Sequence, residues 1–302
     1  MSAIAHTPYS WLPDSLVAEL EEAGLDPKQV YEAVVRAIDE DVPSGEDVTS
    51  AATIPVLEVA VADFVARGDG VVAGLAVAEL VFRYVVSPDV SVVRAVADGD
   101  HVKRGDVVMT VEGPTGLLLT AERTALNILC HLSGVATATA QWVSALEGTG
   151  AKVRDTRKTL PGYRLLDKYA VRCGGGVNHR SSLSDQALIK DNHVLAAGGV
   201  VEAYEAVRRT YPELPVQVEV TTLDQLRAIL EAGAEQVLLD NMSPALMAEA
   251  VTINAGRAAL EASGGLSIDV AREVAATGVD FLAVGALTHS APVLDIAMDL
   301  RS

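Results

Sequence analysis

The segment VQVEVTTLDQLRAILEAGAEQVLLD, residues 216–240, decides how the second half of this chain folds. It opens on VQVEV (216–220) and closes on QVLLD (236–240), two short apolar runs with the length and texture of strands buried on both faces. Between them Leu and Ile recur at helical spacing. Thr222 precedes that run and Gln225 stands at the capping-box position, so a helix is expected over Leu223–Glu231. Gly233 then suits a left-handed residue closing the helix. Strand, helix and strand make one βα unit. The unit recurs downstream, where AALEA (258–262) and FLAVG (281–285) have the same strand texture and Gly278 suits a second helix end.

Polar or small residues fall just past the strands: Lys190, Glu219, Asp240, Ser263 and Gly285, with separations of 29, 21, 23 and 22 residues. Repeats of about one βα unit suggest a βα barrel, whose ligands sit at the C-terminal strand ends. A doubly wound sheet is the competing architecture, but no GxGxxG follows a strand.

Upstream the texture changes. Leu16, Leu20, Val30, Val34 and Ile38 repeat at helical spacing across 14–40, and residues 54–119 are short β runs punctuated by Gly. Residues 98–106 (DGDHVKRGD) have the turn-strand-turn look of a biotinyl or lipoyl sandwich. Lys103 lacks the small or Met neighbours of a carrier lysine, so shared architecture is expected and not a carrier role. A helix is expected from near Thr120, with Glu122 in its first turn, a bend or break at Ser133-Gly134, and a further stretch to about Leu146. The resulting division is an α/β sandwich over 1–118, a barrel over 119–288, and a segment 289–302 that packs back on the sandwich.

At 302 residues the chain has ample length to bury a core, and with half its residues apolar and 21% charged it is not generally disordered. Its formal net charge is −18, with 23 Lys and Arg against 41 Asp and Glu. That balance, with few aromatic residues, argues against nucleic acid, which is held by massed cations and base stacking. Residues 1–16 have no basic n-region or apolar h-segment, so no signal peptide is expected. The most apolar stretch, 74–86, is broken by Glu79 and Arg83 and is too short to span a bilayer. Cys130 and Cys173 lack CxxC or metal-ligand spacing and read as small core residues in a reducing compartment. A cytoplasmic protein with no membrane partner is expected.

The charge is unevenly spread. Residues 151–190 hold nine basic side chains against three acidic ones, a net of +6 that leaves −24 elsewhere. Arg157, Lys158, Arg180 and Lys190 follow no helical stripe; they sit in Gly- and Pro-punctuated loops or at strand ends, where they point into a shared mouth. Arg offers a planar fork for carboxylate or phosphate, and Lys a point charge. Several such donors, each contributing about 1.5–3 kcal/mol, would hold a di-anionic small molecule despite the acidic exterior. Internal pairing with Asp155, Asp185 and Asp191 is the competing role for them. Glu219 and Asp240 form a carboxylate pair suited to acid and base work, sugar hydroxyls or a divalent metal, with pairing to a Lys or Arg of the cationic cluster as the competing role; beside a phosphate region such hard donors suggest Mg²⁺. Ser263-Gly264-Gly265 precedes a helix expected near Ser267 and offers a phosphate cradle; Gly285 is a weaker second one. His179 reads as a donor to an anionic substrate and His193 as a core or supporting residue; without HxxxH spacing zinc is not expected. Together these features imply a phosphorylated sugar carrying a diphosphate, and an anionic co-substrate.

Eight motifs occur in order: ERTALN (122–127), LSGVAT (132–137), DTRKTLPG (155–162), GGGVNHR (174–180), LIKDNH (188–193), LLDNM (238–242), EASGG (261–265) and GALTHS (285–290). As a set they resemble the quinolinate phosphoribosyltransferases, a type II phosphoribosyltransferase family, from about Asp47 to the C-terminus. The resemblance implies an N-terminal α/β sandwich followed by an open or irregular α/β barrel, in a homodimer or a multiple of dimers. It implies transfer of phosphoribosyl from phosphoribosyl pyrophosphate to the ring nitrogen of quinolinate, with Mg²⁺. Pyrophosphate and carbon dioxide leave, and nicotinate mononucleotide is formed for NAD synthesis. Residue by residue, it implies that Arg157, His179, Arg180 and Lys190 clamp the two carboxylates, with Thr156 beside them and Lys158 on the phosphate side. Glu219 and Asp240 would hold ribose hydroxyls and metal, while Ser263, Gly264, Gly265 and Gly285 receive phosphate. Lys158, Lys190, Glu219 and Asp240 form the expected catalytic set, and Arg123 would enter from the other subunit.

Two rival readings are a type II phosphoribosyltransferase acting on nicotinate without decarboxylation, and a non-catalytic phosphosugar-binding regulator. Nicotinate has one carboxylate, so the surplus of cations favours quinolinate; the Glu219/Asp240 pair favours an enzyme.

Overall fold

Residues 4–301 are described by a computed structural model, and their elements change rhythm where the sequence does. Three helices come first, α1 (Asp14–Glu22), α2 (Pro27–Asp41) and α3 (Val48–Thr53). After them run β1 (Val59–Ala66), β2 (Gly70–Val71), α4 (Leu75–Val85), β3 (Ser91–Arg94), β4 (His101–Val102), β5 (Val107–Pro114) and the long α5 (Thr115–Ala145). The alternating part holds β6 (Lys152–Arg154), α6 (Arg164–Cys173), β7 (Ala187–Ile189), α7 (Asp191–Ala197), α8 (Val200–Thr210), β8 (Val216–Val220), α9 (Leu223–Glu231) and β9 (Gln236–Asp240). It ends with α10 (Pro244–Asn254), β10 (Ala259–Ser263), α11 (Ile268–Ala276), β11 (Phe281–Ala283) and α12 (Ala286–His289), before a last strand, β12 (Ile296–Leu300).

Two compact units divide these elements. The first takes residues up to Ala138, Leu160–Gly175 and everything from Ser290; the second takes Thr139–Thr159 and Gly176–His289. The division therefore falls inside α5 and not at 118/119, and α6 belongs with the first unit.

In the first unit the apolar series from Leu16 to Ile38 is shared by two helices. Gly24 takes a φ of +70°, and Asp26 caps α2 by accepting from the N–H groups of Lys28 and Gln29, with Pro27 at the first helical position. The sheet has the order β12-β1-β5-β3, all antiparallel, so the C-terminal segment forms an edge strand along β1. The apolar stretch 74–86 is the buried helix α4, and its interrupting charge is satisfied. Glu79 is held by Arg83 and Arg94, each at 2.6 Å. Helix α5 differs from expectation: it starts five residues before Thr120, places Glu122 beyond the first turn, and runs unbroken through Ser133-Gly134. Gly134 is there for close approach, because a Cβ at that position would lie 2.2 Å from the carbonyl oxygen of Pro292. Cys130 and Cys173 are free and half-buried, where core positions are expected. Among the described residues no helix is long and apolar enough to cross a membrane.

In the second unit six parallel strands have the order β6-β11-β10-β9-β8-β7. Strands consecutive in sequence lie side by side from β7 to β11, and β6 pairs with the last of them. This is the order of a barrel opened between its first two strands, not that of a doubly wound sheet, where the order reverses. The strand register sets Glu261 opposite Leu238 and Phe281, and Ser263 opposite Asp240, so the C-terminal strand ends are level.

Candidate active site

Seven of the expected residues share one cavity of about 290 Å³ in the second unit: Thr156, Arg157, Lys158, His179, Arg180, Lys190 and Ser263. Leu188, Leu238 and Ala283 give it an apolar wall, and Glu261 is its one acidic residue. A slot with apolar sides and several convergent cations suits a flat, charged ring.

The loops that carry the cations are tied down from behind. Asp155 is fully buried; its Oδ1 accepts from the backbone N–H of His179 at 2.7 Å, and its Oδ2 from Asn178 Nδ2 at 2.6 Å. The Lys158 N–H donates to Thr156 Oγ1 at 3.0 Å, and Thr288 Oγ1 donates to the Lys158 carbonyl at 2.8 Å. Gly285 lies under the same lysine, since a Cβ there would sit 2.9 Å from Lys158 Cδ. Asp185 accepts from the N–H groups of Ser181 and Ser182, turning the loop after Arg180. Arg180 itself donates through Nη1 to the Gln186 carbonyl at 3.0 Å. Its pKa is lowered from the ordinary arginine value by burial first and then by the neighbouring Arg157 charge, with Asp185 opposing. Like charges held together in a half-buried wall favour an anion between them.

Lys190 is fixed at both ends. His193 Nδ1 accepts its backbone N–H at 3.0 Å, so this histidine caps α7, and the Lys190 ammonium donates to Glu219 Oε2 at 3.0 Å. His179 is engaged at both ring nitrogens. Its ring is buried, Nδ1 accepts the Arg180 N–H at 2.7 Å, and Nε2 therefore carries the proton and donates to Gln217 Oε1 at 2.7 Å. It orients the backbone of Arg180 while facing the cavity.

Glu219, Asp240, Gly264, Gly265 and Gly285 are not in the cavity lining but stand at the ends of the strands around it. Gly264 takes a φ of +104° beside Asn241, whose Oδ1 would be 2.3 Å from any Cβ there, and Gly265 takes +57° with open space around it. Asp240 Oδ2 accepts from Asn241 Nδ2 at 2.7 Å. Among the described residues no three His, Cys, Asp or Glu side chains group to hold a metal. Two carboxylates at neighbouring strand ends fit Mg²⁺, which keeps waters and takes much of its shell from a diphosphate. Arg123 lies exposed on α5 in the first unit.

The expected set omits the cavity floor. Glu261 is 1% exposed and accepts from Arg154 Nη1 at 2.8 Å, and the Arg154 guanidinium stacks 3.9 Å over the Phe281 ring. A signal existed: Gln217 and Glu219 on β8, like Glu261 and Ser263 on β10, are two apart and so share one strand face.

The family description "Quinolinate phosphoribosyl transferase, C-terminal domain" matches residues 135–299, and the corresponding N-terminal domain matches 47–133. A nicotinate-nucleotide pyrophosphorylase (carboxylating) of Mycobacterium leprae is 52% identical over 273 residues, covering 89% of this chain and 96% of its own. A probable enzyme of the same name from Bacillus subtilis is 39% identical, covering 79% of this chain and 83% of its own. Among solved structures, the nicotinate-nucleotide pyrophosphorylase of Francisella tularensis superimposes with a TM-score of 0.87 at 36% identity, covering 91% of this chain and 96% of that one.

Proposed function

The chain belongs to the quinolinate phosphoribosyltransferase family, and from that premise we propose that it makes nicotinate mononucleotide from quinolinate and phosphoribosyl pyrophosphate. The observation that carries this reading is the single cavity in which Arg157, Lys158, Arg180 and Lys190 converge. Quinolinate brings two carboxylates, which Arg157 and Arg180 receive as forks and Lys190 as a point charge, with Thr156 beside them. Lys158, Ser263 and the Gly264, Gly265 and Gly285 loops face the phosphate groups. Glu219 and Asp240 accept from ribose hydroxyls, and their charge favours the oxocarbenium character that develops as the C1–diphosphate bond breaks. The electron pair of that bond leaves with the diphosphate, and the ring nitrogen supplies the pair for the new C1–N bond. The C2–carboxylate bond then breaks, its electron pair is drawn toward the pyridinium nitrogen, carbon dioxide leaves and a proton takes its place.

Mg²⁺ is the cofactor of this reading: held by Glu219 and Asp240 together with the diphosphate, it would neutralise charge on the leaving group. The working unit is a homodimer or a multiple of dimers, in which Arg123 serves the partner's cavity, and its place is the cytoplasm, in NAD synthesis. The exposure of Arg123 supports the shared site.

One assay decides the chemistry. The protein is incubated with phosphoribosyl pyrophosphate and Mg²⁺ and either quinolinate or nicotinate, and product mass and released carbon dioxide are followed. Carbon dioxide and mononucleotide from quinolinate alone are expected. Mononucleotide from nicotinate alone overturns the reading in favour of the non-decarboxylating transferase.

A further inference from the structure

The strangest feature of this cationic cavity is a buried acid. Glu261 lines it, is 1% exposed, and keeps one carboxylate oxygen, Oε1, without a hydrogen-bond partner. An unpaired carboxylate oxygen in a buried place is costly unless something in the working state compensates it. The neighbours do not. Oε2 is taken by Arg154, and the His179 Nε2 proton points to Gln217 Oε1, leaving Oε1 at 3.5 Å from that nitrogen. Arg154 is not among the lining residues whereas Glu261 is, so the Arg154–Glu261 pair turns its negative end to the cavity.

Placing negative charge beneath a site for a dianion weakens substrate binding. It helps only if the bound molecule becomes positive at some atom as it reacts. Resting on the proposed reaction, one part of the ring does so: the pyridine nitrogen is neutral in the substrate and carries a full positive charge once it bonds to ribose C1. We infer that Glu261 is the counter-charge for that pyridinium, favouring N–C1 bond formation through space from the cavity floor. Glu261 is buried there, so its fixed charge is less screened than in solvent. The same charge pushes against the two ring carboxylates, so binding is given up for rate.

Glu261→Gln keeps the side-chain volume and an acceptor for Arg154 while removing the charge. Its expected signature is a kcat about 10- to 100-fold lower, with quinolinate bound as tightly as before or more tightly. A second readout needs no turnover. By calorimetry the wild-type protein is expected to bind nicotinate mononucleotide more tightly than its ring-reduced dihydro form, which is the same shape without the ring charge. The variant is expected to lose that preference.

A wild-type protein that binds the two mononucleotides equally overturns the inference without any variant. So does a Glu261→Gln protein that keeps both kcat and the preference. Should the wild-type protein release no carbon dioxide from quinolinate, the proposed reaction itself fails. The charge preference is measured separately.

Discussion

At Arg180 two guanidinium groups crowd one wall of the cavity, and burial together with Arg157 lowers its pKa from the ordinary value. A carboxylate placed between them gains a charge-assisted bond and relieves the crowding at once. Arg180→Ala is therefore expected to raise the quinolinate Kd by about 10- to 150-fold, the equivalent of ~1.5–3 kcal/mol. Titration calorimetry reads this directly, and an unchanged Kd removes Arg180 from the clamp. Cys173 gives a different test of local electrostatics. Burial first, and then the nearby Asp98 carboxylate, push its thiol up to about 11, so the unreactive protonated form dominates at physiological pH. Alkylation by iodoacetamide, followed by peptide mass, is expected to stay slow at pH 8 and to accelerate as pH approaches 11. Rapid labelling at pH 7 contradicts it. That Arg157 and Lys158 meet in one cavity was legible because a cation in a Pro- and Gly-rich loop has few structural uses. The partner of His179 was not, since its ring nitrogen meets Gln217, 38 residues away in sequence.

The elements were most legible where period and caps agreed. Helix α9 spans the expected Leu223–Glu231, Thr222 Oγ1 accepts from the Gln225 N–H at 3.2 Å, and Gly233 takes a φ of +87°. Even there the reciprocal half of the box is displaced by one residue, because Gln225 Oε1 accepts from Thr221 and not from Thr222. Where a residue serves a distant partner, local rules misled. Gly134 reads as a helix breaker yet lies in the unbroken α5, its place set by Pro292, 158 residues on. Two glycines of this helix therefore respond oppositely to alanine. Gly134→Ala forces a Cβ against the Pro292 carbonyl and is expected to destabilise by about 1–3 kcal/mol. At Gly116 the nearest neighbour of a new Cβ is Ser50 Cβ at 3.7 Å, so Gly116→Ala is expected to stabilise by ~0.5–1 kcal/mol through reduced unfolded-state entropy. Thermal unfolding of the two variants against the parent reads both signs; a stabilised Gly134→Ala refutes the close-approach account.

Across the whole molecule, a net charge of −18 coexists with a cavity whose cations all come from residues 151–190. Screening over about 8 Å at physiological salt lets the two coexist, because a bound anion is governed by groups in contact with it and not by the distant exterior. Of that cationic stretch the two units take different shares: Arg164, Lys168 and Arg172 belong to the first, while Arg157, Lys158, Arg180 and Lys190 belong to the second. Linear charge counting had no means to separate them, since the chain leaves the second unit at Leu160 and returns at Gly176. Arg123 raises the same issue between chains. It is exposed in the first unit, and the dimer reading assigns it to the partner's cavity. If so, an Arg123→Ala chain keeps a sound cavity and lacks the arm, while a Lys190→Ala chain keeps the arm and lacks the cavity. In a random mixture half the dimers are mixed, and each has one intact site of two, so co-expression of the inactive pair is expected to restore about a quarter of parental activity. Were Arg123 to serve its own chain, no mixed dimer would contain an intact site, and the co-expressed protein would stay as inactive as either variant alone.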